Sequence, residues 1–303
     1  MIITTLLFLL VYTIYTSSIP LPDVVNHVDD HITVGFSQIE TDNPWRTTQI
    51  NSFREAFGPS NIEFIYHEPE EYTAKWQQED ITKLIREKVD YLVIVPADLD
   101  ALVPALESAK EAGIPVILIE QSADTIDRDL YMSRISADYL REGAICAQLL
   151  AEKYAGRSKG FHQALKNYPQ LHIIDTEYGN FDRVTAQKAM ENALVKTSDS
   201  HKSVQAVFAH SDEDGLGALQ AIKTAGLSPN DISIVSINGI QDVCKAIIAG
   251  EYLGTVESNP KWGFIVETLI NQRERGYTPF PTVIIPYNII TEANAVSYFP
   301  TAY

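Results

Sequence analysis

The chain has 303 residues, of which 45% are hydrophobic and 21% are charged. This composition is typical of a soluble globular protein of about two domains, and it excludes collagen-like, wholly disordered and multi-span membrane chains. Lys and Arg number 23 against 40 Asp and Glu, so the formal net charge is −17. A protein that binds the phosphate backbone needs a basic face, and the sequence has no cluster of basic residues, so we expect no nucleic-acid partner.

The N-terminal run from Ile2 to Ile19 contains no charged residue and ends at Pro20, Pro22 and Asp23. A run of this length and polarity is typical of a secretory signal peptide or of a single membrane anchor. We therefore expect residues 1–30 to be a signal or an anchor followed by a linker, with the chain from about residue 31 onward outside the cytoplasm.

Strands and helices alternate along the chain after residue 31. Short β-branched or apolar runs predict strands over 32–37, 61–66, 91–96 and 115–120. Between them, apolar residues at helical spacing predict helices over 45–57, 74–87 and 102–112. This alternation indicates a parallel sheet that is covered by helices on both faces.

The same alternation starts again further along the chain. We predict helices over 138–154, 183–195, 216–225, 243–249 and 262–272, and strands over 171–176, 203–208, 232–237, 254–257 and 282–285. The fold class is therefore α/β, with two lobes that each contain a parallel sheet.

The residues that follow the predicted strands are the candidates for ligand binding, because ligands of open parallel sheets lie beyond the carboxyl ends of the strands. Most of these residues are polar, and an aromatic residue and an arginine are adjacent at Trp45 and Arg46. Hydroxyl-rich ligands need planar hydrogen-bonding groups at their edges and aromatic rings against their C–H faces. The alternative is that these residues are polar only because loops are exposed to solvent. The adjacent Trp45 and Arg46 favour ligand binding over this alternative.

Several segments together resemble a known family. They are Gly35–Gln38, Trp45-Arg46, the run AKEAGIPV over 109–116, His210–Asp212 and GALQAI over 217–222. In this order they resemble the sugar-binding proteins of bacterial ABC importers, and more narrowly the periplasmic galactofuranose-binding and ribose-binding proteins of the type I fold. The resemblance extends from about residue 31 to residue 286.

The resemblance implies two Rossmann-like lobes joined by three crossovers, which close on a monosaccharide. It places residues 31–136 and 259–285 in the first lobe, and residues 137–258 and 286–303 in the second. It implies a monomer that binds a galactofuranose-, galactose- or ribose-type sugar without a cofactor and delivers it to the membrane subunits of an ABC importer. The alternative is a membrane-anchored ectodomain that presents the sugar to a receptor or sensor kinase.

The family's ligand positions can be carried over to this sequence one residue at a time. The resemblance implies ligand contacts from Ser37, Asn43, Trp45, Arg46, Glu120, Gln121, Arg157, Phe181, Ser211, Asp212, Asn238 and Ser258.

Four of these residues, at three sites, differ from the family pattern. Glu120-Gln121 stands where the family usually has Asp-Arg, Ser211 replaces an Asn, and Asn238 replaces the Asp of an I-D-G turn. Hydrogen bonds to charged groups contribute about 1.5–3 kcal/mol against about 0.5–1.5 for neutral ones. We therefore expect weaker binding or a different preferred sugar.

The second lobe differs from the family in length. Ala155-Gly156 joins two segments between which the family has a strand and a ligand loop. We therefore expect the second lobe to be shorter by about one strand.

Other function classes have weaker support in the sequence. The chain has no GxSxG, GxGxxG, P-loop or HExxH motif, so we expect neither catalysis nor a bound metal or cofactor. His210 beside Asp212 has the residue types of acid–base chemistry but lacks a nucleophile motif. Cys146 and Cys244 match no CxxC spacing and are interpreted as buried thiols, with one disulfide as the alternative.

Overall fold

The computed structural model describes residues 31–39, 43–120, 125–153, 171–199 and 203–303. The strands are β1 (Ile32–Ser37), β2 (Ile62–Tyr66), β3 (Tyr91–Ile94), β4 (Val116–Ile119), β5 (Ser133–Ala137), β6 (Ala206–Phe208), β7 (Ser233–Asn238), β8 (Gly254–Glu257), β9 (Thr282–Ile285) and β10 (Ile289–Thr291). The helices are α1 (Pro44–Phe57), α2 (Ala74–Arg86), α3 (Leu99–Glu111), α4 (Tyr139–Lys153), α5 (Arg183–Asp199), α6 (Asp212–Thr224), α7 (Gln241–Ile248), α8 (Gly263–Glu274) and α9 (Ala295–Tyr298).

The strands form two separate sheets. The first has six parallel strands in the order β2-β1-β3-β4-β5-β9, and the second has four described strands in the order β10-β8-β7-β6. In the second sheet β10 pairs antiparallel with β8, whereas β6, β7 and β8 are parallel. The predicted α/β class with two sheets is confirmed.

The described chain passes between the two sheets three times: after β5, after β8 and after β9. Strands β1–β5 and β9 belong to the first sheet, and β6–β8 and β10 belong to the second. This division agrees with the lobe assignment that the resemblance implies, while the lobe boundaries themselves stay a prediction.

The first sheet is apolar on both faces because helices cover both. Phe36, Phe53 and Phe57 pack on one face with the buried Trp262, which precedes α8. Leu84 of α2 and Leu102 of α3 pack on the other face. Strands β3 and β4 have no exposed residue, which is typical of central strands in a doubly covered parallel sheet.

The second sheet is built in the same way. Helices α6 and α7 pack on it through Ile222, Val243 and Ile247, and α4 packs on it through Ile145 and Leu150. Both cysteines are buried free thiols in this part of the molecule, so the alternative of a disulfide is wrong.

The structure corrects the predicted strands at three places. The strand predicted over 171–176 does not form, and residues 171–179 have no regular secondary structure. Ile173 and Ile174 of that segment are 45% and 37% exposed, so no neighbouring strand covers them. Strands β5 and β10 were missed because they are short, and three of the five β5 residues are the polar Ser133, Arg134 and Ser136.

Two predictions about the organisation of the chain fall outside the described residues. The N-terminal apolar run lies in residues 1–30, and the Ala155-Gly156 junction lies in residues 154–170, so the signal or anchor and the shortened second lobe stay predictions. Among the described helices, none has the length and apolarity needed to span a membrane.

Candidate functional site

A cleft of about 540 Å³ lies between the two sheets, at the carboxyl ends of their strands. Its volume is within the range of roughly 300–1,000 Å³ that is typical of small-molecule sites. The cleft is lined by Asn43, Pro44, Trp45, Arg46, Glu120, Tyr139, Glu142, Gly143, Phe181, Phe208, His210, Ser211, Glu213, Ile237, Asn238, Ile240 and Ser258.

The first wall of the cleft carries an ion pair that is mostly buried. The Arg46 guanidinium pairs with the Glu120 carboxylate, and each side chain is only 12% exposed. The Gln49 amide donates to the same carboxylate at 2.9 Å. Helix α1 positions Arg46, because the Asn43 side chain caps the helix by accepting the Arg46 N–H at 2.9 Å and Pro44 occupies its first turn.

Trp45 connects this wall to the crossover segment after β8. Its indole N–H donates to the Ser258 carbonyl at 2.8 Å, and its ring packs edge-on against Trp262 at a centroid distance of 5.8 Å. The Arg46 guanidinium carbon lies 4.9 Å from the centroid of the Trp45 ring. An aromatic surface beside a charged pair suits a ligand with both C–H and hydroxyl faces.

The second wall carries Phe181, His210, Ser211 and Asn238. Phe181 is 55% exposed at the cleft mouth, before α5. Ser211 caps α6 through a 3.1 Å hydrogen bond from the Asp214 N–H. The Asn238 side-chain oxygen accepts the Asp212 N–H at 3.3 Å, which places the amide group at the end of β7.

Three residues of the cleft have a positive φ, a region that residues other than glycine rarely adopt. The angles are +77° at Glu120, +56° at Phe181 and +136° at Asn238. Such conformations cost on the order of 1–3 kcal/mol each and cluster at ligand sites, because the surrounding structure must hold them. Their presence on both walls supports the cleft as the functional site.

Ser37 is at the predicted strand end, but its side chain does not reach the cleft. It is fully buried and donates to Asp80 at 2.6 Å, and His67 lies 2.7 Å from the other oxygen of that carboxyl. Burial raises the pKa of Asp80, and the hydrogen bonds from Ser37 and His67 oppose this. The group joins β1, β2 and α2 beneath the loops.

Asp212 is also beneath the cleft surface rather than in it. Its carboxylate is fully buried and accepts from the Gly239 and Ile240 N–H groups at 2.7 and 2.8 Å and from the Thr255 hydroxyl at 2.7 Å. It accepts a fourth hydrogen bond from Ser236. Burial raises its pKa to about 6 although these hydrogen bonds lower it. All its partners belong to the protein, so Asp212 shapes the loop after β7.

Eight of the twelve residues implied by the resemblance line the cleft. They are Asn43, Trp45, Arg46, Glu120, Phe181, Ser211, Asn238 and Ser258. Ser37 and Asp212 do not, and Gln121 and Arg157 lie outside the described residues.

Tyr139, Glu142 and Glu213 also line the cleft but were not predicted, and His210, which lines it too, was given no ligand role. Tyr139 and Glu142 begin α4, which follows the missed strand β5, so recognising that strand would have drawn attention to both. Glu213 lies at the rim, where its carboxylate pairs with Arg183.

Glu142 has the most unusual environment of the missed residues. It is 2% exposed and faces the cleft from the first turn of α4. Its pKa is raised to about 7, chiefly by burial; a hydrogen bond from Ser258 lowers it, and the nearby Asp138 carboxylate raises it. A carboxyl that changes charge near neutral pH in a ligand cleft is a candidate functional group.

A second concavity of about 760 Å³ lies against α3 and residues 125–130. Its lining residues come from α3 and residues 125–130 alone and include no aromatic side chain, so it does not match the polar and aromatic pattern of the cleft. The described residues contain no group of His, Cys, Asp and Glu that could hold a metal ion.

Comparison with known proteins gives the class of the protein. The family model described as a periplasmic binding protein domain matches residues 34–159 and 154–265. The chain belongs to this family, and the resemblance found in the sequence is confirmed.

Individual relatives within this family are named as sugar-binding proteins. The chain is 33% identical to the galactofuranose-binding protein YtfQ of Escherichia coli strain K12 over 253 residues, which cover 76% of this chain and 78% of that protein. It is 30% identical over 244 residues to the ribose import binding protein RbsB of Bacillus subtilis strain 168, covering 76% of this chain and 77% of the relative.

A solved structure of a sugar-binding transporter component is also similar to this chain. The periplasmic binding component of the arabinose ABC transporter from Shewanella sp. ANA-3, bound to α- and β-L-arabinofuranose, superposes with a TM-score of 0.81 at 28% identity. The alignment covers 89% of this chain and 95% of that structure.

Proposed function

We propose that this protein captures a monosaccharide in the cleft between its two lobes and delivers it to an ABC importer. The observation that carries the proposal is the pairing of Trp45 and the Arg46–Glu120 ion pair on one wall with Phe181 and Asn238 on the other. These groups provide aromatic surface and planar hydrogen-bonding edges, which a sugar ring needs on its faces and on its hydroxyl groups.

The ligand class is a galactofuranose-, galactose- or ribose-type sugar. The relatives support this range, because they are named for galactofuranose and ribose and a similar structure holds L-arabinofuranose. The Arg46–Glu120 pair and the Gln49 amide form a fixed charged edge in the first lobe, against which hydroxyl groups can align.

The mechanism is closure of the lobes on the sugar. The sugar first contacts Trp45, Arg46 and Glu120, and then Phe181 and Asn238 on the second lobe. The closed form gains stability only through contacts that the open form lacks, so a ligand that touches both walls shifts the equilibrium towards closure. The three passages of the chain between the sheets are the segments that bend.

We also propose where the protein acts, which residues form each lobe and which partners it meets. Residues 1–30 export or anchor the protein, residues 31–136 with 259–285 form one lobe, and 137–258 with 286–303 form the other. The protein acts as an extracytoplasmic monomer, binds without catalysis, and is read in its closed form by the membrane subunits of the importer. A membrane-anchored sensor ectodomain gains no support from relatives that are named as import and transporter proteins.

A thermal-shift screen of the purified protein against D-galactose, L-arabinose, D-ribose and D-xylose tests the proposal. A sugar present at about 100 times its dissociation constant adds roughly 2.7 kcal/mol of stability, which gives a clear rise in melting temperature. A rise with one or more of these sugars supports the proposed function. A cooperative melt that none of them shifts at about 10 mM, which is about 100 times a dissociation constant of about 0.1 mM, contradicts it.

A further inference from the structure

Glu142 is a buried carboxyl that faces the cleft with few partners of its own. It is 2% exposed, and among the described residues the one hydrogen-bond partner of its carboxyl group is the Ser258 side chain. An ionised carboxylate can accept about four hydrogen bonds, and burying it without them is costly. Glu142 therefore has acceptor capacity left for a group that enters the cleft.

Other polar acceptors of the cleft are already engaged by the protein. Glu120 accepts from Arg46 and Gln49, and the Asn43 side-chain oxygen accepts from the Arg46 N–H. The Asn238 side-chain oxygen accepts from the Asp212 N–H. Among these four side chains, the Glu142 carboxylate therefore has the most acceptor capacity left for a sugar hydroxyl.

The groups around Glu142 do not supply a compensating cation. On its own helix and the residue before it, the titratable neighbours are Asp138, Tyr139, Arg141 and Cys146. The Arg141 guanidinium donates to the Tyr287 hydroxyl at 3.3 Å. From the elements that pack against α4 they are His210, Asp212 and Glu257, and across the cleft they are Arg46 and Glu120. Arg46 is neutralised by Glu120, Arg141 is bonded to Tyr287, and His210 is the remaining basic side chain among these neighbours. The ionised form of Glu142 thus depends on hydrogen bonds.

We propose that Glu142 is a ligand-binding residue whose carboxylate accepts a hydrogen bond from a hydroxyl group of the bound sugar, and that sugar binding therefore releases a proton from this carboxyl to the solvent. The proposal rests on the proposed function and adds a specific contact and a pH dependence to it. The hydroxyl keeps its own proton, and the released proton is the one that occupies the carboxyl in the sugar-free cleft.

The direction of the pH dependence follows from the hydrogen bond. The sugar hydroxyl stabilises the ionised form and so lowers the pKa of Glu142, which burial has raised to about 7 in the sugar-free protein. Affinity is then constant above about pH 7.5 and falls as the pH decreases through 7. If the sugar lowers the pKa by roughly 1.5 units, affinity at pH 5.5 is about tenfold weaker than at pH 8, and about half a proton is released at pH 7.

The test is calorimetry with D-galactose, L-arabinose and D-ribose at pH 5.5, 7 and 8, in buffers of different ionisation enthalpy. For any of these sugars that binds, the wild-type protein should release about half a proton at pH 7 and lose about tenfold in affinity at pH 5.5. Glu142→Gln should bind about tenfold more weakly than wild type at pH 8, release no proton and show no difference between pH 5.5 and pH 8.

Two further variants make the assignment specific. Glu251→Gln removes a carboxylate that pairs with Lys223 on the surface, and it should behave as wild type. His210→Gln should keep the pH dependence. Loss of the dependence in His210→Gln with its retention in Glu142→Gln would overturn the proposal.

The wild-type measurement needs no variant and is independent of whether Glu142→Gln folds. A sugar that binds with no proton release and equal affinity at pH 5.5 and 8 overturns this proposal and leaves the proposed function in place. Failure of these three sugars and of D-xylose to bind at any pH contradicts the proposed function itself.

Discussion

Trp45 makes one contact through its indole N–H and another through its ring. We expect sugar binding in the cleft to depend on both. Trp45→Ala removes the aromatic surface and the hydrogen bond to the Ser258 carbonyl. We expect sugar affinity to fall roughly 100-fold, or about 2.7 kcal/mol, because aromatic contact area dominates such sites. Because Trp45 is only partly buried, the melt should remain cooperative. Trp76→Ala on α2 is the matched control and should bind as wild type, and calorimetry that finds Trp45→Ala unchanged would contradict the site.

Glu142 also predicts an effect on the stability of the sugar-free protein. Burial raises its pKa from 4.5 to about 7, so the folded state binds this proton more tightly than the unfolded state does. The stability it contributes is therefore lost as the pH rises from 4.5 to 7. Glu142→Gln removes this cost and should stabilise the sugar-free protein by roughly 1–3 kcal/mol at pH 8, with little change at pH 4.5. Urea unfolding at the two pH values measures the difference, and a destabilised variant at pH 8 would contradict the burial argument.

At the scale of the elements, Asp212 holds the start of α6 to β7, β8 and the turn before α7. Asp212→Ala leaves four donors without their acceptor, and we expect a loss of roughly 3 kcal/mol or more in unfolding free energy. Denaturant unfolding at pH 7.5 measures it. Asp231→Ala, at an exposed position before β7, is the control. A loss below about 1 kcal/mol would show that the network is not structural.

The contact between α1 and α8 depends on a glycine. A Cβ atom on Gly263 would lie 2.0 Å from the Ser52 carbonyl oxygen, which is backbone and cannot move aside easily. Gly263→Ala should therefore destabilise the protein by roughly 1–3 kcal/mol through overpacking. Gly143→Ala, where a Cβ meets nothing within 4 Å, should be neutral or stabilising. A thermal melt of the two variants distinguishes them, and equal melting temperatures would argue against the close approach.

At the scale of the whole molecule, the cleft between the two sheets predicts a change of shape on binding. A sugar that contacts both walls should favour the closed form, so the radius of gyration measured by small-angle scattering should decrease when a binding sugar is added. The decrease should be absent in Trp45→Ala at the same sugar concentration. Binding by calorimetry without any change in the scattering curve would contradict closure as the mechanism.

The sequence predicted most elements because their patterns are local. Apolar strands such as β3 and β4 and capped helices such as α1 were found within a few residues of their bounds. The prediction was wrong where the surrounding structure, and not the local sequence, determines whether a strand forms. The apolar segment 171–176 has no strand beside it and stays irregular, whereas the polar β5 is held between β4 and β9.

The sequence and the resemblance predicted only part of the candidate site. Trp45, Arg46, Glu120 and Asn238 follow strands or begin a helix, so their place at the sheet edge could be found from the sequence and the resemblance. Ser37 and Asp212 occupy the same kind of position, but both are drawn inward by buried hydrogen-bonding partners. Strand position alone cannot distinguish the two outcomes, because the side-chain direction depends on donors from distant segments.

By itself, the sequence determined the α/β class, the repetition of the fold in two halves, and the family, because periodicity and ordered motifs are properties of the chain. Only the tertiary structure decided which strand ends meet across the cleft, that Asp212 lies beneath it, and that Glu142 lies within it. The physical reason is that burial and hydrogen bonding between remote segments set the direction and the charge of a side chain, and neither is encoded in its immediate neighbours.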